Sequence, residues 1–173
     1  MKDVKLGGGL QFTDTEIAVK VKKLVPEAAL PKFGRAGDAG ADLTAISMVE
    51  TDMYIEYGTG IAMDIPNGYV GLIYPRSSLS NYDLTLSNHV GVIDPNFRGE
   101  IKFRFKRTKS PQVFSSTFYA IDSETIIDES KLYKIGDRIG QIILHKIPEV
   151  SFEEVTELDE TNRGDGAYGS SGR

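Results

Sequence analysis

Apolar residues in this chain fall in short runs that favour a period of two, and no long stripe at the 3.6-residue spacing of a helix competes with them. IAVKVKKLV (17–25) and IKFRFK (101–106) alternate apolar side chains with Lys or Arg, the pattern of strands with one face on a core and one in water. YIEYGTGIAMDIP (54–66), YVGLIY (69–74), TFYAI (117–121) and RIGQIILHKI (138–147) are further β-branched or aromatic runs. Between them stand turn formers: Pro66-Asn67-Gly68, Ser87-Asn88 and Asp94-Pro95-Asn96. Many short strands with closely spaced turns predict an all-β barrel or sandwich. The best helical candidate is SSLSNYDL (77–84), a turn or two with Ser77 or Ser78 as its cap.

Composition narrows the function. With 173 residues, 40% hydrophobic and 26% charged, the chain suits a single globular domain spanning 1–173. A formal net charge of −5 argues against a general nucleic-acid binder, though a few placed arginines can still hold a small anion. Having no cysteine and two histidines excludes a disulfide framework and a His-rich zinc centre. The Gly-rich leader through Thr15 is not a signal peptide, and no run is long enough to span a bilayer, so a cytoplasmic address is expected.

Three stretches could carry chemistry. PRSSLS (75–80) places Arg76 before two hydroxyls, equipment for a phosphate, although a capped turn with a surface arginine reads the same. In NHVGVIDPNFRGEIKF (88–103), Asp94 ends an apolar run, where it is either a turn former or a solvent-facing general base. The tail TNRGDGAYGSSGR (161–173) cannot pack as a core element and reads as a flexible linker. It lacks the lysine of a P-loop, yet Tyr168 in its middle is not linker chemistry.

Taken in order, five segments resemble the motifs of the trimeric dUTPase family: RAGDAGADLTA (35–45), PRSSLS (75–80), GVIDPNFRGEI (91–101), GDRIGQIIL (136–144) and RGDGAYGSSG (163–172). The resemblance implies a distorted jelly-roll (β-clip) subunit with a β core over 16–160 and a C-terminal lid over 161–173. It implies a homotrimer with active sites at subunit interfaces, and hydrolysis of dUTP to dUMP and pyrophosphate with Mg²⁺. By the same resemblance Asp94 is the catalytic base that orients a water on the α-phosphate. Asn88, with Val92 and the hairpin backbone, reads uracil, and Phe97 packs under the deoxyribose. Arg76, Ser77, Ser78 and Gln141 hold phosphates, and Asp42 holds Mg²⁺ through water. Arg163, Tyr168, Gly169, Ser170 and Ser171 close over the nucleotide.

Asp38, Ala41, Phe97, Ala167 and His89 depart from the usual pattern of that family. An insertion around 107–134 is longer than the usual connection and suggests a phage origin and a contact surface for a protein partner. Two rivals remain. A dCTP deaminase of the same fold needs a glutamate general base where this chain has Arg104, which cannot accept a proton. A regulatory binding protein switched by nucleotide would use the insertion as its contact surface.

Overall fold

The computed structural model describes residues 17–108 and 129–167. The leader through Thr15, the TFYAI run, residues 109–128 of the insertion and the tail from Tyr168 lie outside the described residues.

Eleven short strands form in chain order: β1 (Lys20–Lys23), β2 (Lys32–Phe33), β3 (Ala41–Thr44), β4 (Ser47–Glu50), β5 (Ile55–Gly58), β6 (Ile61–Asp64), β7 (Tyr69–Tyr74), β8 (Leu84–Leu86), β9 (Gly91–Ile93), β10 (Lys102–Arg107) and β11 (Arg138–Lys146). Two 3₁₀ turns, Ser77–Asn81 and Glu129–Lys131, supply the only helical elements among the described residues. The chain is therefore all-β, with the strands sorted into a five-stranded sheet β2-β3-β11-β7-β9, a four-stranded sheet β4-β5-β10-β8 and the pair β1-β6.

Alternation decides which face β10 buries. In β10, Phe103 and Phe105 are fully buried while Lys102, Arg104 and Lys106 stay exposed, as the IKFRFK pattern dictates. Ile55 and Tyr57 of β5, paired with Phe105 and Phe103, extend that face. Tyr57, Phe105 and Tyr133 meet edge-on or tilted, with ring centroids 5.5 to 6.1 Å apart. The Tyr57 hydroxyl donates to the Tyr133 carbonyl at 3.0 Å. Burial pushes that hydroxyl's pKa up to about 12, so it stays protonated and able to donate. Leu132 and Tyr133, at the C-terminal flank of the insertion, belong to this core, and Arg107 at its other flank ends β10.

The facing sheet meets the aromatic layer through Gly140. A Cβ there would stand 2.1 Å from the Phe103 ring and 2.9 Å from the Tyr74 carbonyl, so only glycine allows this approach. The pairing of β11 with β3 also shifts register between Arg138 and Gly140. That irregularity lies directly before Gln141, and bulges are common beside functional sites.

Candidate active site

The ends of β3, β7 and β11 converge on one cleft of about 500 Å³, lined by Gly40, Asp42, Arg76, Ser77, Arg138 and Gln141 together with the 34–39 turn. Its geometry follows from strand register, because Gln141 pairs with Asp42 on one side and Tyr74 on the other. Motifs far apart in sequence thereby become neighbours in space. Gly40 clears the room: a Cβ there would stand 2.3 Å from the Gln141 amide oxygen. The Gln141 amide in turn donates to the Pro75 carbonyl at 3.1 Å, which fixes the start of the PRSSLS turn.

Asp42 is the hub. Its two carboxylate oxygens accept from Arg76 Nε at 2.8 Å and Arg138 Nη1 at 3.0 Å, and its side chain is only 13% exposed. Arg76 also donates to the Ser78 hydroxyl at 3.3 Å. The expectation that Ser77 or Ser78 caps a helix is corrected here. The element is a short 3₁₀ turn with Arg76 at its cap position and no side-chain cap bond, since a guanidinium has no acceptor to offer the turn's free amides, while Ser77 and Ser78 lie inside the turn. Asp38 folds the neighbouring turn by accepting from the Arg35 amide at 2.7 Å. Three arginines (35, 76 and 138) against two aspartates (38 and 42) leave the cleft with an excess of positive charge, suited to an anion with several oxygens.

Asn88, Val92, Asp94 and Phe97 lie on and around β9, the edge strand beside β7 in the same sheet. Asn88 sits in the turn that leads into β9, where the Val90 amide donates to the Asn88 carbonyl at 2.6 Å around His89, held at φ 60°. A left-handed conformation at a residue other than glycine is costly and tends to persist at ligand-binding turns. Val92 is 61% exposed and Phe97 is 41% exposed, while Asp94 stands in the loop between them with its carbonyl accepting from the Phe97 amide at 3.1 Å. Among the described residues β9 is an edge strand with no neighbour on its outer side, and such a strand offers backbone groups of the kind that read the polar edge of a base.

Register also separates the two clusters. Ile93 pairs with Gly71, whereas Gln141 pairs with Tyr74 two strands away from β9. From strand rise and spacing, Asp94 and Gln141 of one chain stand roughly 15 Å apart. Arg163 reaches neither cluster, lying in an exposed turn where its Nε donates to the Gly166 carbonyl at 2.9 Å. Tyr168, Gly169, Ser170 and Ser171 lie outside the described residues.

Sequence reasoning missed Arg138 and Arg98. Arg138 stands inside GDRIGQ, and only the pairing of β11 with β3 puts it on Asp42. Arg98 donates to the Pro95 and Phe97 carbonyls of the Asp94 loop. Arg104, the position weighed against a deaminase, donates to Glu56 at 2.7 Å and lies 4.4 Å over the Tyr54 ring. It offers no proton acceptor.

Comparison with known proteins fits this geometry. The family model for dUTPase matches residues 26–117. The deoxyuridine 5'-triphosphate nucleotidohydrolase of Corynebacterium glutamicum is 40% identical, over 90% of this chain and 95% of that protein. Among solved structures, a variant dUTPase of Staphylococcus bacteriophage 80alpha with dUpNHpp superposes with a TM-score of 0.71 at 28% identity, covering 90% of this chain and 99% of that one. A variant dUTPase from phage phi11 of S. aureus, whose structure reveals the coordination of a structural Mg(II) ion, gives a TM-score of 0.63 at 26% identity, covering 83% of this chain and 99% of that one.

Proposed function

Because the chain belongs to the dUTPase family and hydrolyses dUTP to dUMP and pyrophosphate, we propose that its two residue clusters hold opposite ends of that substrate. Arg76, Ser77 and Gln141, with Ser78 beside them, grip the triphosphate in the positive cleft. Asn88 and the backbone of β9 read uracil, Val92 lines the base, and the Phe97 ring lies under the sugar. Asp94 accepts a proton from a water as that water attacks the α-phosphorus. The bond from the α-phosphorus to the bridging oxygen then breaks and pyrophosphate leaves. Arg163 and the tail residues Tyr168, Gly169, Ser170 and Ser171 close over the nucleotide.

The observation that carries this reading is the Asp42–Arg76–Arg138–Gln141 constellation, whose charge and donors match a triphosphate. Among the described residues no three His, Cys, Asp or Glu side chains converge as a metal site. Mg²⁺ fits here all the same, because it keeps several waters and rides on substrate phosphates with one or two protein carboxylates. Asp42 is the carboxylate in the cleft placed to hold it through water. When bound, the ion neutralises charge developing on the phosphates.

The same geometry supports a homotrimer with shared sites. A general base must come within hydrogen-bond reach of its water, and a 15 Å gap, roughly, between Asp94 and Gln141 of one chain exceeds that reach. A second chain closes the gap. The segment after β11 also exposes Val150, Phe152 and Leu158 at 61%, 97% and 87%, apolar surface that another subunit would cover.

The test is hydrolysis in ¹⁸O-labelled water with Mg²⁺, offering dUTP, dCTP, dTTP and UTP separately and reading the products by mass spectrometry. Label in dUMP from dUTP alone supports attack at the α-phosphorus and both specificities. Label in pyrophosphate, or conversion of dCTP, would contradict the reading.

A further inference from the structure

Asp94 and Phe97 share a loop, 94–99, that contains no strand and a single backbone turn bond, from the Phe97 amide to the Asp94 carbonyl, so side chains must help hold it. Arg98 does this from within. One guanidinium nitrogen, Nη1, donates to the Pro95 carbonyl at 2.5 Å and the Phe97 carbonyl at 3.0 Å. The other, Nη2, is ion-paired with Asp64 at the end of β6. Asp64 in turn faces Lys20 of β1 at 3.5 Å. The loop thus carries one staple across its own turn and one to a neighbouring sheet. The Phe97 ring folds back over Gly99, where a Cβ would stand 2.6 Å from it.

These contacts contribute little to stability: the Arg98 and Asp64 side chains are 55% and 40% exposed, and such pairs are weak in water. Their geometry accounts for them better. We infer that Arg98, anchored by Asp64, is a positioning residue that sets the Asp94 carboxylate and the Phe97 ring together, coupling turnover to sugar discrimination. The inference rests on the proposed roles of Asp94 and Phe97 and deepens them, since nothing in the motif alone links the two residues. Arginine is required because its planar fork serves two carbonyls and a carboxylate at once, which a lysine ammonium on a flexible stem does not.

The test measures kcat and KM for dUTP and UTP, with Tm, on the full-length protein and on Arg98→Gln, Arg98→Lys, Asp64→Asn, Lys20→Ala and Asp94→Asn. Loss of loop registry by about 1 Å is expected to lower kcat of Arg98→Gln roughly 100-fold. The preference for dUTP over UTP should fall with it, while Tm stays within a few degrees. Arg98→Lys should recover part of both losses. Asp64→Asn, which keeps the carbonyl contacts, should lose roughly fivefold, the scale of one exposed ion pair, and Lys20→Ala should be silent. Wild-type turnover and discrimination in Arg98→Gln, beside an inactive Asp94→Asn, would overturn the clamp alone. An active Asp94→Asn would instead overturn the reading of the loop, and the clamp with it. Should Arg98→Gln fail to fold, Asp64→Asn decides on the same readouts.

Discussion

Asp42 and Asp94 are carboxylates on one sheet, yet their surroundings differ in every respect that matters for chemistry. Asp42 is 13% exposed on a paired strand, with a guanidinium on each oxygen. Asp94 is exposed in a loop and has no side-chain partner among the described residues. A carboxylate whose lone pairs are engaged by two arginines is a scaffold, useful for aiming those arginines and for holding an ion through water. A carboxylate left open to solvent can take a proton from a water molecule. In the proposed reading, the phosphate end of the sheet is preorganised within one chain and the nucleoside end is completed by a second.

That contrast can be broken first at Asp94. Asp94→Asn should bind dUTP much as the parent does but lose about 10²- to 10⁴-fold in kcat, read by steady-state kinetics beside calorimetric binding. Undiminished turnover would remove the general base. Arg76→Ala attacks the other end and should cost about 10²-fold in kcat/KM, with weaker binding of non-hydrolysable triphosphate analogues. An unchanged analogue affinity would separate Arg76 from the phosphates. Asp42→Asn sharpens the comparison, because a scaffold carboxylate should shift the Mg²⁺ concentration needed for half-maximal rate upward, by roughly tenfold. A Mg²⁺ titration that overlays the parent would contradict its place beside the ion.

Gly140→Ala should lower stability by about 1–3 kcal/mol through overpacking against the Phe103 ring, visible as a lower Tm, with a rise in KM as Gln141 is displaced. The smallest expected effect lies away from both ends. Hydrogen bonds from Lys102, then Arg104, hold the Glu56 carboxyl below its ordinary pKa of 4.5. The stability this adds is present above that value and is lost as pH falls through the folded-state pKa. Glu56→Gln should thus melt a few degrees lower at neutral pH, and the gap should close below about pH 4.5. A gap that persists in acid would assign it to packing instead.

Period-two patterning made the buried face of β10 legible, and three of the five ordered motifs, 35–45, 75–80 and 136–144, pointed to the cleft. Other features depend on tertiary register and left no local trace. Arg138 reads as a polar residue before an apolar strand until β11 is laid beside β3. Arg98 reads as a surface residue of FRGE until the loop folds back on itself. Strand β4 is exposed at all four residues, so no alternation marked it as distinct from a loop. Ser77 and Ser78 carry good cap side chains, but the turn starts at Ser77, so the cap position falls on Arg76.

The claim that one chain supplies the phosphate end of a site and another its base is tested most directly by complementation. Asp94→Asn and Arg76→Ala chains, each nearly inactive alone, are unfolded together, refolded and assayed on dUTP, with native mass spectrometry to confirm mixed assemblies. Recovered turnover is expected, because a mixed trimer contains one interface that joins an intact Asp94 to an intact Arg76. Confirmed mixed assemblies that stay inactive would show that both residues act within the same chain, and the shared site would be wrong.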